Sequence, residues 1–373
     1  MWTRSFMRTA IVFLVAMAAL AQQPAGNAQT WVKLHDRVNK EVNEDWISVL
    51  AAGENRLYAG TVYGILVSDD EGLTWRYVTL GFKQSPSSMA VDGNTVYVGT
   101  NSDGIFRSDD AGETWTPTSD GLRTFKHPLT HIKRIFWPNI SQILVTFDAV
   151  IAVTRGPSNS SDNNTYLSTN RGDTWHNVTG IWAWWTQSIQ SVVQFDGYLW
   201  CPVSDFSSGM ARSSDNGRTW EWIPKLKYGG SADWVVLHHR LYAVEELGVG
   251  RWNEQTRDWE YLPVEGLPTP SWGFSRTTIT SGAVHDDRLY VGVTAFNSNA
   301  GEQSGVYVFD PDTETWSSAG LARVRITELL SHDSILYAGT WNGIYASTPQ
   351  RVHPHAKVVT TWGRVKQRAL AKD

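Results

Sequence analysis

The chain has 373 residues, of which 41% are hydrophobic and 18% charged, with a formal net charge of −5. That composition supports a packed core and excludes a disordered or fibrous chain, and the mild acidity predicts no nucleic-acid partner. A single cysteine, Cys201, excludes an intrachain disulfide framework and a cysteine-based zinc cluster, while 20 tryptophans are the compositional anomaly.

At the N-terminus, Arg4 and Arg8 precede an apolar run over residues 10–20 that ends in small residues. This pattern predicts a secretory signal peptide over residues 1–21, with cleavage after Ala21 or as late as Ala28. The run is shorter than the roughly 20 residues that span a bilayer, so an uncleaved anchor is the weaker alternative. The mature chain is expected to be secreted or to reside in the periplasm or cell envelope, without a transmembrane segment.

Four segments then share the pattern Ser-x-Asp-x-Gly-x-Thr-Trp. They are Ser68, Asp70, Gly72, Thr74, Trp75, then Ser108, Asp110, Gly112, Thr114, Trp115. The third is Ser168, Asn170, Gly172, Thr174, Trp175, with Asn replacing Asp, and the fourth is Ser213, Asp215, Gly217, Thr219, Trp220. Strand-like runs bounded by glycine precede them. The chemistry predicts a β-hairpin clip. The Asp oxygens accept N–H groups of their own turn, and Gly permits a positive φ. The hydroxyls bond across the hairpin, and Trp buries a large apolar area as the next strand begins. These residues are expected to build structure, and no catalytic role is assigned to them.

Later copies drift. Trp259 and Trp316 still follow a strand and a polar turn, but without the glycine. A seventh copy begins over residues 335–347 and stops before its clip, while Trp31 lies in a last strand that lacks its predecessors. Joining the two ends completes a seventh unit. Four strands in each period of roughly 40–50 residues predict an all-β, seven-bladed β-propeller of four-stranded antiparallel blades over residues 29–348. A terminal strand closes the ring and hides its edges. Residues 361–365 are a rival closing strand, within a basic tail over residues 349–373.

These four segments resemble the Asp-box, or bacterial neuraminidase repeat, propellers. That superfamily includes sialidases, xyloglucanases, sortilin-type receptors and photosystem II assembly factors. The resemblance implies that the clip joins the third and fourth strands of a blade, away from the ligand-binding face. A sialidase also needs three arginines for the substrate carboxylate, a Tyr–Glu pair and an acid/base Asp. The family's first arginine motif has no counterpart before the first clip. Arg276 with Arg323 or Arg325 are the conceivable carboxylate ligands, and Glu245 and Glu246 are expected in a solvated turn.

Loops from one blade's last strand to the next blade's first are expected to crowd one face. They carry Trp46, Trp182, Trp184, Trp185, Trp234 and Trp272, together with Arg123, Lys126, Arg134 and Arg276. Trp182, Trp184, Trp185, Trp272 and Arg276 are the candidate binding residues, as a platform for a sugar ring or a partner protein. Packing of these indoles in the channel is the competing expectation. The histidines show no metal-ligand spacing and no cofactor fingerprint occurs, so neither metal nor cofactor is expected. The sequence therefore predicts an exported, non-catalytic scaffold for a protein or carbohydrate partner, with an exo-sialidase-type glycosidase as the alternative.

Overall fold

The computed structural model describes residues 29–34, 46–62, 64–79, 85–126, 135–155, 164–178, 188–189, 191–204, 209–223, 226, 233–268, 277–296 and 303–347. These residues form a seven-bladed propeller of four-stranded antiparallel sheets. Blade 1 comprises Val49–Ala52, Leu57–Gly60, Ile65–Ser68 and Arg76–Val78. Blade 2 spans residues 86–117, blade 3 residues 139–177, blade 5 residues 233–261 and blade 6 residues 277–320. In blade 4 the innermost strand is interrupted: Ser188–Ile189 and Val193–Phe195 both pair with Tyr198–Ser204. A small hairpin, Phe125–Lys126 with Ile135–Phe136, lies between blades 2 and 3.

Blade 7 joins the two ends of the described chain. Its inner strands are Ile326–His332, Ile335–Thr340 and Gly343–Ser347, and its outermost strand is Trp31–Lys33, with Trp31 opposite Ser347. The closing strand is therefore N-terminal; the rival at residues 361–365 lies outside the described residues, as do the signal-peptide region and the basic tail.

Second strands lie between neighbouring blades and are buried on both faces, which is why Thr95–Thr100 and Ile335–Thr340 read as unbroken apolar or small runs. The glycine in these strands makes room for the next blade. A Cβ on Gly99 would lie 2.5 Å from Ile140 Cγ2, and one on Gly292 would lie 2.5 Å from Ile326 Cγ2. Inner strands are tied across blades by polar bonds. Ser88 Oγ donates to Ile140 O, Gln142 Nε2 to Val192 O, and Thr280 Oγ1 to Ile326 O.

The four clips form closed polar rings. In the first, Ser68 Oγ donates to Asp70 Oδ1, Thr74 N donates to the same oxygen at 2.8 Å, and Thr74 Oγ1 donates to Oδ2 at 2.6 Å. The clips at Asp110 and Asp215 repeat this ring. In the third, Asn170 Nδ2 donates to Thr174 Oγ1, so one bond reverses direction and the ring survives without a charge. The residue before each clip glycine is also left-handed, with φ of 58° at Glu71, 56° at Ala111 and 59° at Arg171. Their carbonyls serve the preceding blade: Tyr58 donates to Ala111 O, Tyr97 to Arg171 O and Tyr337 to Glu71 O. The clip thus fastens one blade to its neighbour.

Six of the repeat tryptophans hydrogen-bond in one of two ways, and Trp259, whose buried indole N–H meets no acceptor among the described residues, does neither. Trp75, Trp115 and Trp220 donate their indole N–H to the glycine carbonyl of their own clip. Trp175, Trp316 and Trp31 instead reach back to the preceding blade, to Thr118 O, Pro263 O and Ala319 O.

Candidate functional site

Antiparallel order divides the turns between two faces. The turns joining strands 1 to 2 and 3 to 4 of each blade, including the clips, lie on one face. The turns joining strands 2 to 3, and the connections between blades, lie on the other, the loop face. On the loop face, three segments of blades 6 and 7 converge. Phe296 follows the second strand of blade 6, Arg325 precedes the first strand of blade 7, and Trp341 sits in the tight turn between Thr340 and Gly343. Trp341 N donates to Arg325 O, holding the turn beside the interblade connection.

The Arg325 guanidinium carbon lies 4.6 Å from the Trp341 ring centroid and 5.5 Å from that of Phe296. The two rings meet edge to face at 6.3 Å. Both remain open to solvent, with Phe296 43% and Trp341 47% exposed. A cation held against aromatic faces is a pre-ordered guanidinium, and the rings offer flat apolar surface around it. Trp46, which precedes the first buried inner-strand residue of blade 1, is also exposed on this face.

Below the loop face, two carboxylates stand at equivalent positions of inner strands in blades 5 and 7. Asp233 Oδ2 accepts from Gly282 N and Oδ1 from Trp234 N. Burial pushes Asp233 up to about 6, against the pull of those two backbone bonds. Burial, and then the nearby Asp233, push Glu328 well above the ordinary carboxylate range.

The sequence-predicted platform residues Trp182, Trp184, Trp185, Trp272 and Arg276 lie outside the described residues. Trp234, expected in a face loop, instead belongs to the inner strand of blade 5. It is buried, with its indole donating to Ser191 Oγ at 2.8 Å. Glu245, expected in a solvated turn, ends a buried second strand and accepts the Tyr261 hydroxyl. Glu245 pairs with Gly248 of the third strand, and the turn between them falls on Glu246 and Leu247, so of the two glutamates only Glu246 occupies the expected turn. Phe296 and Trp341 were not singled out in the sequence. The available signal was a tryptophan within the two-residue turn Trp341-Asn342, where neither neighbour leaves an indole room to bury.

Among the described residues no three His, Cys, Asp or Glu side chains are placed to hold a metal. Cys201 is fully buried in blade 4, and burial pushes its thiol far up. No helix of the described residues is long and apolar enough to cross a membrane.

No family model matches the sequence, and no curated protein matches it. Solved structures share its fold. The extracellular domain of the putative one-component system BT4673 from B. thetaiotaomicron aligns over 86% of this chain, with TM-score 0.60 and 14% identity. This chain spans only 40% of the length of that protein. YCF48 bound to D1 peptide aligns over 89% of this chain and 99% of its own, with TM-score 0.59 and 13% identity. YCF48 from Cyanidioschyzon merolae aligns over 85% and 98%, with TM-score 0.56 and 13% identity. At such identities the likeness shows the propeller fold alone.

Proposed function

We propose that the chain is an exported, non-catalytic propeller scaffold that captures a protein segment on its loop face. The observation that carries this is the exposed Phe296–Arg325–Trp341 cluster, in which a guanidinium is stacked against two solvent-open rings. Aromatic and arginine side chains dominate binding hot spots because they combine large apolar contact with directed hydrogen bonding. Among the described residues no carboxylate pairs with Arg325, so its donors are available to an acidic side chain or a chain-terminal carboxylate. The neighbour YCF48 has been solved bound to a D1 peptide, and the BT4673 neighbour is an extracellular domain. The first supports a peptide partner and the second an extracellular or envelope location. The basic, apolar N-terminal run supports export. Trp182, Trp184, Trp185, Trp272 and Arg276 belong, by repeat position, to loops of the same face and would extend the platform.

The test is capture from an envelope extract, alongside a glycan array, by the mature chain and by Trp341→Ala and Arg325→Ala variants. Capture of a protein that both variants lose, with unchanged melting, supports the proposal. Capture that neither variant weakens refutes the assignment of this cluster, and glycan binding in place of protein capture changes the partner class. The glycosidase alternative needs Arg276 with Arg323 or Arg325 beside a Tyr–Glu pair; the described pair, Tyr261 with Glu245, has its tyrosine on the outermost strand of blade 5. Turnover of a fluorogenic sialoside, lost on Tyr261→Phe, would establish it.

A further inference from the structure

On the opposite face, the drifted repeats leave a gap in a regular pattern of charge. Each second strand follows a tight turn, and in blades 1, 5 and 6 an arginine stands at its head: Arg240 and Arg288 open theirs, and Arg56 immediately precedes Leu57. Arg56 is neutralised. It pairs with Asp69 of its own clip and, at 3.0 Å, with Glu113 of the next clip, and it donates to Ala111 O. Other clefts on this face are closed by ion pairs too, Arg107 with Asp173 and Arg257 with Glu221.

Between blades 5 and 6 the pattern breaks. By strand register, the position of Asp69 opposite Arg56 is taken in blade 5 by Asn253, which is uncharged and donates to Glu260. The next turn, in blade 6, has lost the clip sequence; Asp310 stands opposite Arg288 by register, but its Oδ1 accepts from Asp312 N and it makes no ion pair with the arginine. Among the described residues no carboxylate lies within ion-pair distance of Arg240 or Arg288. Both arginines border a cleft of about 300 Å³ with Leu289, Phe309 and Pro311. Arg251 also lines it, held by Glu260 at 2.6 Å, and the lining carboxylate Asp287 faces His238 at 3.6 Å.

We propose that this cleft binds a small oxyanion ester, a phosphate or sulfate group attached to a ring-sized body. A guanidinium fork gives parallel N–H bonds to a tetrahedral oxyanion, and this cleft is lined by two from adjacent blades. Phe309, Leu289 and Pro311 supply an apolar wall for the ring. The cleft volume sits at the lower end of small-ligand sites, which suits one ring and excludes a polymer chain. The site is distinct from the loop-face cluster and does not depend on what that cluster captures.

The probes are 4-nitrophenyl phosphate and 4-nitrophenyl sulfate, titrated calorimetrically into the mature chain at low salt, with 4-nitrophenol as the uncharged control. Saturable binding of at least one ester, absent for the phenol, is expected; the tighter of the two identifies the source chemistry. Arg240→Gln and Arg288→Gln should each weaken binding at least about tenfold, the scale of one lost charge-assisted bond. Arg56→Gln should leave binding unchanged. Should either glutamine variant fail to fold, Arg288→Lys retains the charge without the fork and should still weaken binding. No binding of either ester at millimolar concentration overturns the proposal. So does binding that survives in Arg240→Gln and Arg288→Gln variants whose melting matches the parent.

Discussion

Removing the closing strand should open the ring. Trp31 is half-buried between blades 6 and 7 and donates its indole N–H to the buried Ala319 carbonyl at 2.8 Å. Large-to-small replacement of a fully buried aromatic costs about 3–5 kcal/mol. Half-burial brings that to about 2 kcal/mol, and the lost indole bond adds about 1 kcal/mol. Trp31→Ala should therefore cost about 3 kcal/mol. Deleting residues 29–34 also removes the ladder to Tyr345–Ser347, the Leu34 N to Ile344 O bond and the Gln29 Nε2 to Tyr290 hydroxyl bond. At about 1 kcal/mol for each such bond, the loss reaches about 6 kcal/mol or more, comparable with the whole net stability of many domains. Urea titration and thermal melting of the mature chain, Trp31→Ala, a deletion of residues 29–34 and a deletion of residues 358–373 provide the comparison. A tail deletion that costs as much as the strand deletion would refute the reasoning, as would a Trp31→Ala variant within about 0.5 kcal/mol of the parent, the scatter of neutral surface changes.

Asp70→Ala should destabilise by about 1–2 kcal/mol by leaving the Thr74 amide and hydroxyl without their acceptor, with Asp70→Asn milder because Asn170 already closes a clip; denaturant melts distinguish them. Gly266→Ala should cost more than about 3 kcal/mol, since φ is +88° and a Cβ would fall 1.8 Å from Trp316 O, whereas Gly93→Ala, at φ +60° with no atom within 4 Å, should cost about 1 kcal/mol. Acidity should act in two windows. The Thr114 hydroxyl and amide hold Asp110 below the ordinary range, so its contribution is present above about pH 4 and lost on further acidification. Asp233 and Glu328 are raised, so the folded state keeps protons that the unfolded state releases, and their contribution fades as pH climbs from about 4 through 6 and beyond. Melting against pH should show that upper decline in the parent and a flatter profile in an Asp233→Asn, Glu328→Gln double variant.

The blade count and the strand order were legible in sequence, because each repeat carries its own turn chemistry, whereas the closing strand stayed open between the segment at Trp31 and residues 361–365 until the pairing of Trp31 with Ser347 was seen. A Tyr-x-Gly strand followed by Ser-x-Asp-x-Gly-x-Thr-Trp states both where a hairpin bends and what packs beside it. Contacts between blades were not legible. That Tyr58 serves Ala111, or that Trp175 reaches back to Thr118 rather than to its own glycine, depends on the orientation of neighbouring sheets. Trp234 shows the same limit at the candidate site. Position in the repeat put it near a loop, yet an inner strand claimed it, because the strand begins one residue earlier at Asp233. The Phe296–Arg325–Trp341 cluster joins residues from two blades, and no local pattern announces such a meeting.

Loss of the clip in blades 5 and 6 must be offset, and the tryptophan surplus shows how. Where Asp and Gly have gone, aromatic contacts brace the outer hairpin and, at one place, the neighbouring sheet. Trp200 of blade 4 packs on Trp252 of blade 5 at 5.1 Å, and the cross-strand pairs Trp252–Trp259 at 5.3 Å and Phe309–Trp316 at 5.1 Å stiffen the outer hairpins of blades 5 and 6 themselves. Such pairs add about 0.5–1.5 kcal/mol each beyond the area they bury, the same order as the polar bonds of one clip. The exchange is close to neutral for stability but not for charge. A clip brings carboxylates to the rim of its blade, where they neutralise arginines such as Arg56 and Arg107. An indole brings none. In blade 5 the position that Asp69 holds opposite Arg56 is the uncharged Asn253, so Arg240 lacks the counter-charge that the blade 1 turn supplies, and in blade 6 Asp310 is engaged by its own turn rather than by Arg288. Asn253→Asp, which supplies the carboxylate that Asp69 provides in blade 1, should pair with Arg240 and abolish binding of the aryl esters, with some loss of melting temperature because a carboxylate replaces the Nδ2 donor that faces Glu260. A variant that binds them undiminished would show that the missing carboxylate is not what leaves the cleft open to an anion.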